Sequence, residues 1–136
     1  MGRIVGLDPG AKRIGVAVSD SSRTLAFPRP ALAAEGTWWQ EMAQLVEEEG
    51  VDLVVVGRPV SLAGRETSST EMANDIANLV RHHFPGLGVE QWDERMTTSE
   101  ASRALSAAGK SSRAQREIID SAAATVMLQS YLESLR

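Results

Sequence analysis

The hydrophobic pattern of this chain switches repeatedly between short β-like runs and helical stripes. Ile4-Val5-Gly6-Leu7 is an apolar run ending in the carboxylate of Asp8, a short buried strand over residues 3–8, and Pro9-Gly10 is a turn signal. Ile14, Val16 and Val18 alternate with small residues as far as Asp20, the pattern of a second strand paired to the first in a hairpin around residues 9–13. Asp20-Ser21-Ser22 marks another turn. Leu25 to Leu32 reads as a third strand, confined to a sheet edge because Pro28 and Pro30 have no N–H for a neighbour. Thr37 to Glu49 carries Trp38, Met42, Leu45 and Val46 at helical spacing and is stopped by Gly50. Leu53-Val54-Val55-Val56 has no polar face, which marks a strand covered on both sides, and Gly57-Arg58-Pro59 ends it.

Residues 60–70 are rich in Ser, Gly and Thr and read as a mobile loop that could grip a ligand through Arg65. Glu71 to Phe84 is a helix carrying Met72, Ile76, Leu79 and Val80, and Val89 to Trp92 a fifth strand. Thr97 and Glu100 have capping-box spacing, so a helix should run from there to near Gly109. Ser112 and Gln115 repeat the box and open a last helix through Leu132, with Ile119, Ala122, Ala123 and Val126 as its buried stripe. This order predicts an α/β fold: a five-stranded mixed sheet flanked by helices on both faces, with the first strand central. The hairpins should be antiparallel, and the later crossovers parallel and right-handed.

Composition narrows the classes of function. A length of 136 residues suits one domain spanning 1–136. The absence of cysteine excludes disulfides, thiolate nucleophiles and cysteine zinc sites. No signal segment and no run of ~20 apolar residues is present, so no membrane role and a cytoplasmic location are expected. A net charge of −4 opposes binding of nucleic acid by bulk electrostatics, unless acids that hold metal are neutralised in use.

Candidate chemistry therefore centres on carboxylates. Asp8 lies at a strand end between Gly6 and Gly10, where α/β sheets present residues to a ligand crevice; a turn-forming Asp before Pro9 is the plainer alternative. Asp93-Glu94-Arg95 follows the fifth strand and reads either as a site or as helix-entry acids. Strand alternation places Asp93 and Glu94 on opposite faces, if the chain is still extended there. Glu94 shares its face with Trp92, so it is the expected partner of Asp8. Asp120 lies two turns into the last helix, beside Ile118, Ile119 and the alanines at 122–124, where an unpaired acid is costly. It could pair with Arg116 one turn earlier and also hold a metal. Three such acids without a histidine cluster match Mg2+ or Mn2+. Two such ions ~3.5–4 Å apart can activate water against a phosphodiester. His82 and His83 point ~100° apart on a helix and read as a solvated helix end.

Four stretches together resemble one family. Gly6 to Asp20, with Asp8 and Lys12-Arg13-Ile14-Gly15, is similar to the opening motif of the YqgF/RuvX family of pre-16S ribosomal RNA nucleases, relatives of the RuvC Holliday junction resolvases. The similarity continues through Val56-Gly57-Arg58-Pro59, Asp93-Glu94-Arg95-Met96-Thr97-Thr98 and Asp120-Ser121-Ala122-Ala123-Ala124 with Leu128-Gln129. The resemblance implies an RNase H-like fold and metal-dependent cleavage of structured nucleic acid, with Asp8, Glu94 (of the Asp93-Glu94 pair) and Asp120 as catalytic and metal-holding acids. Arg58 departs from the family's usual apolar residue, and Pro9 from its usual neighbour of Gly10; Arg58 could contact phosphate or be solvated.

Lys12, Arg13, Arg58, Arg65, Arg95, Lys110, Arg113 and Arg116 are the candidate contacts to nucleic acid. The expected substrate is the 5' end of pre-16S ribosomal RNA, with branched DNA, as for a Holliday junction resolvase, the alternative, and the protein a monomer or homodimer. A non-catalytic nucleic-acid-binding module would lack a reason to keep all the acids. An ATPase of the actin and sugar-kinase kind shares an Asp-x-Gly turn before a Gly-Val-Ala strand, but its second domain and second phosphate hairpin have no counterpart here.

Overall fold

A computed structural model describes residues 2–97 and 112–136, and the side chains of all of these except 112–120. The elements are β1 (Arg3–Pro9), β2 (Arg13–Ser19), β3 (Ala26–Ala33), α1 (Trp38–Glu49), β4 (Val51–Arg58), α2 (Ser68–His83), β5 (Gly88–Asp93), a single 3-10 turn at Glu94–Met96, and α3 (Ser112–Ser134). The strands form one sheet in the order β3-β2-β1-β4-β5, with β1 central. β1–β2 and β2–β3 are antiparallel, while β1–β4 and β4–β5 are parallel. The proline-bearing β3 lies on an edge, as its missing N–H groups require. Among the described residues no helix is long and apolar enough to cross a membrane.

Strand alternation sorts the core into two layers. On one face Val5, Leu7, Val16, Val18, Val54 and Val56 pack against Trp38 and Met42 of α1 and Ala73, Ile76, Ala77 and Val80 of α2. On the other, Ile4, Ala17 and Val55 pack against Ala124, Met127, Leu128 and Leu132 of α3. The doubly apolar run of β4 is thus covered on both sides.

The structure corrects several local readings. Residues 68–70, expected in a loop, form the first turn of α2. The Thr67 side chain accepts from the Thr70 amide, and the Thr70 hydroxyl in turn accepts from the Thr67 amide at 2.9 Å. Thr70 is buried and also donates to the Pro59 carbonyl. Ser and Thr that suggest a loop by composition are here a helix cap. Of the helix expected from Thr97 to near Gly109, all but the first residue lies outside those described; Thr97 itself ends the 3-10 turn. His83 is half-buried rather than solvated: its ring stacks on Trp39 with centroids 4.3 Å apart and planes 10° apart.

The largest correction concerns α3. Its buried face is Ser121, Ala124, Thr125, Leu128 and Leu132, whereas Ala122 and Val126 are half-buried and Ala123 is exposed. The expected stripe is therefore turned outward, and the side chain of its fourth member, Ile119, lies outside the described residues. Small residues occupy several adjacent stripes of this helix, so 3.6-residue periodicity gives the spacing without choosing the inner face.

α3 lies very close to the sheet. A Cβ at Gly6 would stand 2.9 Å from Leu128 Cβ, and the adjacent position on β2 is Ala17. Gly6→Ala should push the helix outward, lowering stability by ~1–3 kcal/mol as overpacking does. Gly86→Ala, where a Cβ meets open space, should stay within about 0.5 kcal/mol. Urea unfolding midpoints of the two variants check this.

Candidate functional site

In the central parallel part of the sheet, β1, β4 and β5 all end on one side, the usual position of a ligand crevice. β1 delivers Asp8 there, on the face that Ile4 and Gly6 present to α3. β5 ends at Asp93, and the chain turns at once into the 3-10 turn. The extended geometry assumed for the choice between Asp93 and Glu94 thus stops one residue short. Asp93 accepts from the Arg95 amide at 2.9 Å and from its guanidinium at 2.7–3.1 Å. That guanidinium holds the Asp93 carboxyl below its ordinary value. Glu94 instead turns inward and hydrogen-bonds Asp8.

Two carboxyl groups in such contact cannot both carry full charge without cost. Burial pushes Glu94 up first, and the hydrogen bond to Asp8 and the charges of Asp8 and Asp93 push it further, to about 8. The pair opens into a groove of about 400 Å³ between the strand ends and α3, whose helical wall is Ala122, Ala123, Val126 and Met127, with Thr97 at its end. The outward stripe of α3 is therefore the wall of this groove, and its small side chains keep it open.

Asp120 lies on α3, and its side chain is outside the described residues. Helix phase places position 120 on the stripe of Ala123 and Met127, three and seven residues further on, both of which line the groove. Among the described residues no three His, Cys, Asp or Glu side chains form a metal-holding group; Asp8 and Glu94 are the two that meet. Their donor set suits a hard divalent cation: two carboxyl groups are held together, and a cation between them would relieve their mutual repulsion.

The phase of α3 is set by polar anchors that sequence reasoning did not assign. Ser121, fully buried, accepts from the Val16 amide at 3.1 Å and donates to the Arg29 carbonyl at 2.6 Å. Val16 and Arg29 pair with each other beside the irregular register between Ile14 and Val16 in the β2–β3 ladder, and the hydroxyl bridges them. Gln129 accepts from the Ala26 amide at 2.9 Å and donates to the Thr24 carbonyl at 3.0 Å. Ser130 donates to the Met96 carbonyl at 2.8 Å, tying α3 to the turn that carries Glu94. Tyr131 donates to Glu90, and burial followed by this bond pushes its hydroxyl up to about 12. The available signal was a helix stripe of Ser, Thr and Gln facing inward among alanines.

The candidate cations divide into groups. Arg58 ends β4 and pairs with Glu66 at 2.7 Å, and Arg95 pairs with Asp93 at 2.7 Å. Both therefore enter any contact with phosphate already holding a carboxylate. Arg65 is exposed in a turn closed by the Ser61 amide to the Arg65 carbonyl, at 3.0 Å. The Arg95 guanidinium lies against Gly64 of that turn, 3.2 Å from where a Cβ would be. Lys12 and Arg13 are exposed at the β1–β2 connection. Lys110 lies outside the described residues, as do the side chains of Arg113 and Arg116 on α3. Asp20, the second aspartate of the opening stretch, is structural: its carboxylate accepts from the Thr24 and Leu25 amides at 2.7 and 3.2 Å, closing the β2–β3 turn.

A family model described as "RuvX: Holliday junction resolvase" matches residues 2–134. The chain is 40% identical to a protein of Corynebacterium jeikeium named "Putative pre-16S rRNA nuclease", over 99% of this chain and 88% of that one. It is 41% identical to a protein of the same name from Chlorobium luteolum, over 99% and 96%. Among solved structures it resembles T. thermophilus RuvC in complex with Holliday junction substrate, with TM-score 0.65, 12% identity and coverage of 99% and 96%. It also resembles the Fowlpox virus resolvase in complex with Holliday junction DNA, with TM-score 0.59, 14% identity and coverage of 98% of each chain. At such identities the likeness bears on the fold, which is RNase H-like.

Two expectations follow from this geometry. Ser121→Ala leaves the Val16 amide and the Arg29 carbonyl without their bridge and should lower stability by ~1–3 kcal/mol, read as a urea midpoint. The other concerns pH. Glu94 lies at about 8 in the folded chain against an ordinary 4.5, so its contribution to stability is fully present below the lower value and is lost as pH rises through the higher one. Without divalent metal, the melting temperature of the wild type should fall relative to that of Glu94→Gln as pH rises from 4.5 to about 8, the window set by those two values.

Proposed function

The chain belongs to the RuvX family of resolvase-like nucleases, and on that premise we propose that Asp8, Glu94 and Asp120 hold Mg2+ or Mn2+ for hydrolysis of structured nucleic acid, the substrate being the 5' end of pre-16S ribosomal RNA. The observation that carries this reading is the convergence of Asp8 and Glu94, from separate strand ends, at the floor of a groove walled by small side chains. A pair of half-buried carboxyls in contact is destabilising by itself, and such arrangements concentrate at functional sites.

In this reading the whole chain acts as one RNase H-like unit. A divalent ion bound at the acids supplies a Lewis acid that makes water a better nucleophile and meets the negative charge developing on the phosphodiester. The chain's own residues do the rest. Asp8 and Glu94 provide oxygen donors fixed by β1 and by the turn after β5. Asp120 provides a third from the groove-lining stripe of α3. Ala122 and Ala123 leave room for a sugar and phosphate to reach the acids. Arg58, Arg65 and Arg95 flank the strand ends, where phosphates would exchange with Glu66 and Asp93 for the guanidinium groups. Those cations answer locally the overall charge of −4.

The names of the relatives favour ribosomal RNA, and the family description favours a four-way DNA junction as the second reading. One experiment addresses both: a labelled precursor of 16S ribosomal RNA and a four-way junction cleaved side by side with Mn2+, Mg2+ or EDTA. Cleavage of the precursor that is lost in EDTA is expected; cleavage of the junction alone would move the protein to the second reading. Asp8→Asn, Glu94→Gln and Asp120→Asn should each lower the cleavage rate by roughly 100-fold or more, while each stays folded and keeps metal-free RNA binding. A folded Asp8→Asn protein cleaving at the wild-type rate would remove Asp8 from the mechanism.

A further inference from the structure

The approach of Glu94 to Asp8 crosses the end of β4. In the parallel β4–β5 pairing Gly57 stands opposite Trp92 and Arg58 opposite Asp93, so Glu94 leaves β5 one residue beyond the register. Its side chain then passes over Gly57. A Cβ at position 57 would lie 2.8 Å from Glu94 Oε1, 3.4 Å from its Cδ and 3.5 Å from its Cγ. Gly57 is buried within β4 and its φ lies outside the left-handed region, so the backbone conformation does not call for glycine. What the glycine provides is room.

We propose that Gly57 is a positioning residue for the acid pair: the missing side chain at the end of β4 is what allows the Glu94 carboxylate to reach Asp8. The steric part stands on this geometry alone, and the functional part rests on the reading of Asp8 and Glu94 as metal-holding acids. Gly57 contrasts with Gly6. At Gly6 the obstructing atom is a Cβ fixed to a packed helix, so an added methyl strains the core. At Gly57 the obstructing atoms are the free end of one side chain, and the easiest response is for Glu94 to swing away. Substitution there should change metal binding and spare the fold.

The test compares wild type, Gly57→Ala and Glu94→Gln by metal-free thermal unfolding, by Mn2+ titration in a calorimeter and by cleavage, with a crystal structure of Gly57→Ala. Gly57→Ala should melt within about 3 °C of wild type, bind Mn2+ about tenfold or more weakly, lose cleavage in parallel, and show Glu94 no longer hydrogen-bonded to Asp8. A crystal structure that keeps the hydrogen bond overturns the proposal. Wild-type Mn2+ affinity in Gly57→Ala, when Glu94→Gln has lost it, overturns it equally. Wild-type Mn2+ affinity in Glu94→Gln would overturn the metal-pair reading and the functional part with it, while the crystal structure still decides the steric part.

Discussion

The contact between Leu128 of α3 and the bare Cα of Gly6 governs the distance between the last helix and the central strand. With glycine at 6 and alanine at 17, β1 and β2 present little side chain to α3 at this point. The helix can settle onto β1 because no larger side chain stands at these two positions. That closeness brings the outward stripe of α3 alongside Asp8, and it turns the gap between helix and strand ends into a groove rather than an open surface. A helix lifted by a larger residue would carry the groove wall away from the acid on β1.

Closeness does not fix rotation. α3 offers small residues around much of its circumference, so apolar burial alone changes little as the helix turns. The buried polar side chains discriminate instead. Ser121, Gln129, Ser130 and Tyr131 each reach a different partner in β2, β3, β5 or the 3-10 turn. A hydrogen bond contributes only ~0.5–1.5 kcal/mol net, but a buried group left without its partner costs ~1–3 kcal/mol. Rotating the helix by one position would break several at once, so the bonds act mainly as a penalty on every phase but one.

The acid pair sits where these constraints meet. The parallel pairing of β1, β4 and β5 brings three strand ends to one side, and each contributes differently: an acid from β1, an empty position from β4, and a turn that redirects an acid from β5. Arg95 has a part in this by capturing Asp93. Of two neighbouring carboxylates, one is bound in a local ion pair and the other is left to face Asp8. The burial that raises Glu94 is the cost of placing it, and the groove is where that cost could be offset by a cation.

Much of this architecture was determined by the sequence alone. The apolar runs and their turn residues gave the order of elements, the two prolines put β3 on the edge, and the doubly apolar β4 announced helices on both faces. These are properties of single elements, set by periodicity and backbone chemistry within a few residues. The four motif stretches, spread over nearly the whole length, carried the family. The tertiary structure decided the rest: the inward face of α3, the start of α2 at a Thr67–Thr70 cap, the capture of Asp93 by Arg95, and the room that Gly57 leaves for Glu94. Each depends on what a residue meets across a strand register or a helix contact, and a chain's local pattern contains spacing along an element but not the identity of the atoms that long-range packing brings against it.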